Sequence, residues 1–191
     1  MFFRSYSKLT AISAVQLICA VCLSGQARVN PRAEAMAHFS ERVTAYLALQ
    51  KKVEAKLSSQ KETDDLERIK AHVSTLAAGI RRMRAGAKPG DIFNGAAEQF
   101  RQIMQEDARD RSVRDAFAAM QEVPKRTPPR VNADYPETAA LATVPPLILN
   151  RFQRLPDGLE YRFMGRDLIL RDTKANLIVD VLREAVPTVG R

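Results

Sequence analysis

Two apolar stripes in heptad spacing dominate the stretch from Met36 to Met83. The first runs Met36, Phe39, Val43, Tyr46, Val53 and Leu57, with Gln50 its only polar member. The second runs Leu66, Ile69, Val73, Leu76, Ile80 and Met83 without exception. A three-four alternation is the seam of a helix that packs lengthwise on another helix. In one straight helix the step from Leu57 to Leu66, about two and a half turns, would set the stripes on opposite sides. The polar run Ser58-Ser59-Gln60-Lys61-Glu62-Thr63 between them supplies a reversal. The pattern predicts an antiparallel helical hairpin, with Leu57 and Leu66 level at the bend.

Local signals bound the two helices. Asn30-Pro31 is a cap followed by a first-turn proline. Thr63 followed by Asp64 and Asp65 reads as a hydroxyl cap with carboxylates at the positive end of the dipole. The second helix is expected to end near Gly86, with Arg81, Arg82 and Arg84 suiting its negative end. Gln50 is either a seam position near solvent or, if the seams drive homodimerisation, the residue that sets register. On that reading Gln50→Leu raises thermal stability.

Residues 1–27 read as a secretory signal peptide. Arg4 and Lys8 form a basic lead, Leu9 to Leu23 is mostly apolar, and Gly25-Gln26-Ala27 offers small residues for cleavage after Ala27. The competing reading is an uncleaved N-terminal anchor. Val21 before Cys22 is too bulky for the usual lipoprotein site. The apolar run is short for a membrane span, so no span is expected after signal cleavage. Both cysteines, Cys19 and Cys22, fall in this segment, which leaves the rest of the chain without disulfides or cysteine-bound metal. Of the formal charge of +8, Arg4 and Lys8 carry two, and the remaining basic residues are interleaved with acids. That pattern is a solvated surface and argues against nucleic acid as partner.

After the hairpin, Pro89-Gly90 marks a turn, and Ile92 and Phe93 look like a plug that packs onto it. Asn94 is positioned to cap a third helix with Ala97, Phe100, Ile103 and Met104 on its apolar face. Glu106 to Arg111 is charged enough for an exposed corner. A fourth helix carries Val113, Ala116, Phe117 and Met120, and Val123-Pro124 ends it. Residues 124–144 read as an extended Pro-rich linker. A short helix from Pro145 or Pro146 to Gln153, with Leu147, Ile148 and Phe152 apolar, is the expected cover for the C-terminal strands.

The period then changes to two. Leu159-Glu160-Tyr161-Arg162-Phe163, Leu168-Ile169-Leu170-Arg171 and Leu177-Ile178-Val179-Asp180-Val181 predict three strands separated by turns at Gly165-Arg166-Asp167 and 172–176. Leu159, Tyr161, Phe163, Leu168, Leu170, Leu177, Val179 and Val181 are expected mainly on one face. The predicted fold is mainly α with a small β part: an antiparallel helical hairpin, two shorter helices and a C-terminal three-stranded antiparallel meander. The predicted units are a signal at 1–27, a helical domain at 28–123, the linker at 124–144, and a short helix plus meander at 145–186.

The segment from Leu155-Pro156-Asp157-Gly158 through Val181 resembles the C-terminal module of small bacterial periplasmic proteins, among them the periplasmic nickel/cobalt homeostasis family. Thr63-Asp64-Asp65, Gly90-Asp91-Ile92-Phe93, Leu159 to Phe163 and Gly165-Arg166-Asp167-Leu168 extend the likeness to an uncharacterised family of secreted bacterial proteins. The resemblance implies secretion and this architecture and supplies no chemistry.

The residues themselves point away from catalysis and cofactors. His38 and His72 are the two histidines. With the bend between 57 and 66, His72 lies opposite Lys51, roughly 20 Å from His38 at 1.5 Å per residue, so the pair cannot share a metal. Asp64, Asp65 and Glu67 are explained by the helix dipole without calcium. Asp167 and Asp172 are turn residues by default. Ser40 and His38, two positions apart, do not face each other on a helix. No catalytic, cofactor-binding or metal residue is assigned. The expected function is a non-catalytic exported envelope protein that serves as an interaction or scaffold module, through an unknown envelope partner or self-association. The alternative is a small-ligand-binding or hydrolytic periplasmic protein, which needs a pocket with converging polar groups between helices and meander.

Overall fold

The computed structural model describes residues 30–57, 64–122, 128–136 and 142–188. The expected signal, the reversal at Ser59, and residues 123–127 and 137–141 lie outside them. Helices α1 (Pro31–Glu54), α2 (Leu66–Met83), α3 (Ala97–Asp107) and α4 (Arg111–Glu122) come first. Strand β1 (Ala142–Thr143), helix α5 (Pro146–Leu149) and strands β2 (Leu159–Met164), β3 (Asp167–Asp172) and β4 (Leu177–Leu182) complete the order. The fold is mainly α with a small β part, as expected. The meander β2-β3-β4 is antiparallel throughout, and the two-residue β1, which the sequence did not suggest, pairs with the free edge of β2. No described helix is long and apolar enough to cross a membrane.

The first helix forms where its signals say. Asn30 accepts from the N–H of Arg32 at 3.0 Å and Pro31 sits in the first turn. Its stripe is buried at Phe39, Val43, Tyr46, Gln50 and Val53. Helix α2 covers one part of it, and aromatic side chains from other elements cover another. Phe39 stacks with Phe93 at 5.7 Å and Tyr161 at 6.4 Å between centroids, and meets Phe100 edge-on at 5.2 Å. Helix α1 therefore packs on the meander, as does Phe152 just beyond α5, whose ring lies 5.1 Å from that of Tyr161. One core runs from Ala35 on α1 to Val186 beyond β4, so the helical part and the meander fold around shared contents.

The hairpin is antiparallel, but its seam is shorter than the stripes suggest. A Cβ at Gly79 would overlap Cγ1 of Val53, and the Arg84 guanidinium stacks 5.1 Å over the Tyr46 ring. These pairs set α2 roughly two turns further along than a tight bend at 57 and 66 would. The first turns of α2 pass the end of α1, and Leu66, Ile69 and Met83 are 60%, 40% and 45% exposed. Leu76, Ala77, Gly79 and Ile80 make the buried contact. The cap of α2 is Asp65, whose Oδ1 accepts from Glu67 and Arg68, so the start falls at the last member of the expected cluster and not at Thr63.

Helix α3 begins at Ala97 with Ala96 at its cap position and no side-chain cap; Asn94, the expected cap, lies two residues earlier, in a turn where its N–H donates to Gly90 O. The corner at 106–111 is not fully exposed: Asp107 is 8% exposed and pairs with Arg151, which also holds Glu106. Helix α5 stops at Leu149, short of the expected Gln153; Ile148 on it and Phe152 beyond it are buried, but Leu147 is 51% exposed. Residues 128–136 are no spacer. The N–H of Asn132 donates to Ile178 O, that of Ile178 to Ala133 O, and that of Tyr135 to Asn176 O, so the segment lines the far edge of β4. Tyr135 is buried with Ile169, Ile178 and Val181 on the outer face of the sheet.

Val181 departs from the expected face for a specific reason. The β3-β4 register pairs Leu170 with Asp180 and Arg171 with Ile178, leaving Val179 as one extra residue. Such a bulge reverses the alternation beyond it. Leu177 and Val179 face the helices, Asp180 is turned the same way, and Val181 goes to the outer face.

Candidate functional site

The side chains best equipped for chemistry in the core are two buried carboxylates. Asp172 ends β3 with no exposed surface. Its Oδ1 accepts from the N–H groups of Lys174 and Ala175 at 2.8 and 2.9 Å, which makes the turn that the sequence assigned to it. Its Oδ2 accepts from Tyr46 Oη at 2.5 Å and Gln50 Nε2 at 2.6 Å, both from α1. Burial, then the neighbouring Asp172 charge, pushes the Tyr46 phenol far above the ordinary tyrosine value, so it stays a donor. Gln50 is therefore neither near solvent nor a register residue between copies. It is a buried bond to the sheet.

Asp180 is the second. The bulge aims it at the turn after α2, where Oδ1 accepts from Gly90 N at 2.7 Å and Oδ2 from Ile92 N and Phe93 N at 2.7 and 2.8 Å. Its own Oδ1 also takes the N–H of Val181 at 2.8 Å. Gly90 reaches this geometry with φ of 90°, a region that favours glycine. Burial pushes the Asp180 carboxyl up, against the pull of the four N–H donors. The clasp presents Phe93 to Phe39 and Phe100, so the plug expected at Ile92-Phe93 is held from below by a carboxylate. Beside it Arg84 donates to Val179 O at 3.0 Å and Asn132 Oδ1 at 3.2 Å, while Asn132 Nδ2 returns a bond to Arg84 O. Arg81 reaches Asn132 O and Asp134. Arginines that look like dipole partners of α2 thus tie it to the edge of the sheet.

The same turn forms one wall of an open recess of about 360 Å³ between the start of α3 and the end of β4. Lys88, Gly90, Asp91, Ala97, Arg101 and Arg183 contribute to its lining. Asp91 is the one carboxylate there, and its Oδ2 takes the N–H of Lys88 at 2.7 Å. Arg183 is neutralised by Asp167 at 2.6 Å and also donates to Pro129 O. Arg101 is steered by a 3.2 Å bond to the main-chain oxygen of Arg183. Between helices and meander the space is filled by Phe39, Phe93, Phe100, Phe152 and Tyr161.

The remaining sequence candidates stay apart. His38 lies on the exposed side of α1 with Glu41 at 3.2 Å. His72 is half-buried on α2, and the observed register carries it past the level of Lys51. Ser40 donates back to Met36 O at 3.0 Å, a bond within its own helix. Asp167 accepts from Arg183 and from Glu184 N in the turn region. Among the described residues no group of three or more His, Cys, Asp and Glu side chains is placed to hold a metal ion. Sequence reasoning missed Asp180 and the partners of Asp172. The available signals were Gln50 inside an apolar stripe and Asp180 inside an otherwise apolar strand.

No family model matches the chain, and no curated protein or solved structure is significantly similar to it.

Proposed function

We propose that this chain is an exported envelope protein that acts as a non-catalytic interaction or scaffold module. The observation that carries the reading is how the buried acids are used. A general acid or nucleophilic carboxylate needs a lone pair or proton aimed at a substrate. Asp172 and Asp180 each accept four hydrogen bonds from their own chain, and both join the helical layer to the sheet. Export rests on the basic lead, apolar run and small-residue site within residues 1–27.

Expression of the full chain in a bacterial host, followed by fractionation and intact-mass measurement, tests the address. A periplasmic or extracellular product that begins at Arg28 supports the reading, and a full-length product confined to the cytosol overturns it. Substrate-panel assays of that product with Asp172→Asn and Asp180→Asn test the role. A turnover abolished by either substitution in a variant that remains folded overturns the non-catalytic assignment.

A further inference from the structure

We propose that the recess between the turn at 88–94, the start of α3 and the end of β4 binds an anionic group, a carboxylate or phosphate, of a small soluble ligand. Three features converge on one volume. Its size, about 360 Å³, lies in the range of small-molecule sites. Its cations outnumber its acid: Lys88, Arg101 and Arg183 face it with Asp91. Neither Lys88 nor Arg101 meets a carboxylate within ion-pair distance among the described residues, whereas Arg183 is matched by Asp167. The Lys88 ammonium and the Arg101 guanidinium, which spends one N–H on Arg183 O, thus carry charge with no carboxylate partner among the described residues.

The surroundings favour an anion over a neutral guest. Ala97, the first residue of α3, contributes to the lining, and the cap position Ala96 offers no side-chain acceptor to the first N–H groups. The positive end of the helix dipole adds to the lysine and arginine charges. Asp91 opposes them, its Oδ2 held by the N–H of Lys88, but the three cations outnumber it. The wall is also preorganised. Asp180 clamps the turn through Gly90, Ile92 and Phe93, and Arg101 is steered by Arg183 O, so binding has little to rearrange. Single exposed ion pairs are weak, and affinity for a simple ion should be modest, with selectivity from the arginine fork.

The test titrates the isotope-labelled full chain with inorganic phosphate and, separately, with citrate, at constant ionic strength so that general screening does not vary. Saturable shifts of amide signals from 88–91 and 97–101 are expected with at least one of them. The anion that saturates at the lower concentration tells phosphate from carboxylate. The double variant Lys88→Gln/Arg101→Gln should weaken binding by about tenfold or more in a chain that still folds cooperatively. Lys88→Arg/Arg101→Lys, which keeps both charges, should retain most of it. No saturable shift with either anion, or equal binding by the glutamine variant, overturns the proposal.

Discussion

Gln50 donates its side-chain amide to Asp172 Oδ2 at 2.6 Å, joining residues 122 positions apart. The bond reverses what a lone polar residue in an apolar seam suggests. Gln50→Leu fills the same space but leaves a fully buried carboxylate oxygen with one donor fewer. The expected outcome is a loss of about 1–3 kcal/mol, the scale for an orphaned buried acceptor. Tyr46 Oη shares the same oxygen, so Gln50→Leu and Tyr46→Phe should not add. Urea unfolding of both single variants and the double variant measures this. A stabilised Gln50→Leu chain would contradict the buried bond.

What the sequence made legible is what local pattern alone decides. The α1 stripe, the Asn30-Pro31 start, the Ile92-Phe93 plug and the three strands all come from side-chain period and backbone preference. The register of α2 was not legible, because a heptad stripe says which face is apolar and not which half finds a neighbour. Leu66 and Ile69 are as apolar as Leu76 and Ile80, yet only the latter pair lies against the core. Asp180 was hidden for a different reason. In Leu177 to Val181 it occupies a position that alternation gives to the outer face, and only the bulge at Val179 turns it inward. Asn132 stands in a proline-rich stretch that looks like a spacer, and its bonds to Arg84 and β4 depend on tertiary contacts.

Asp180→Asn should be more damaging than its isosteric shape suggests. One of the two acceptor atoms becomes an NH2 group that faces N–H donors from either Gly90 and Val181 or Ile92 and Phe93. A loss of about 3 kcal/mol is expected from donors left without an acceptor in a buried site. Hydrogen exchange supplies the local reading. The amides of Gly90, Ile92 and Phe93 should lose more protection than those of α1. Uniform loss across the chain, or none, would contradict a clasp confined to this turn.

Gly79 is a packing residue at the helix crossing. Alanine ordinarily gains about 1 kcal/mol over glycine within a helix. Here the added methyl overlaps Val53 Cγ1, and Val53 is branched at Cβ and buried on α1. Overpacking of this kind costs about 1–3 kcal/mol, so Gly79→Ala is expected to destabilise. In a Val53→Ala background the obstruction is gone and the same substitution should stabilise. Melting temperatures of the four chains in this cycle decide it. A Gly79→Ala change that stabilises in both backgrounds would mean that the two helices do not meet at this pair.

Tyr46, Tyr135 and Tyr161 supply a test of the whole architecture, because each joins a different part of it. Tyr46 bonds to Asp172, Tyr161 donates to Gln153 O at 2.9 Å, and Tyr135 lies under the Arg171 guanidinium at 4.3 Å. Burial pushes all three phenols above the ordinary value, with the nearby Arg162 and Arg171 charges only partly offsetting it at Tyr135. A group whose folded pKa is raised contributes stability that is complete below its unfolded pKa, about 10 for tyrosine, and is lost as the pH climbs from there towards the folded value. The fold should therefore resist ionisation near pH 10 and then unfold cooperatively in stronger alkali. Tyr6 lies outside the described residues, so Tyr6→Phe isolates the three buried phenols. Phenolate absorbance of that variant is expected to stay flat through the ordinary tyrosine range and to rise together with loss of the circular dichroism signal. Reversible phenolate formation at ordinary tyrosine pH in a chain that remains folded would show that the rings are open to water, and at Tyr46 and Tyr161 that the helical layer does not cover the sheet.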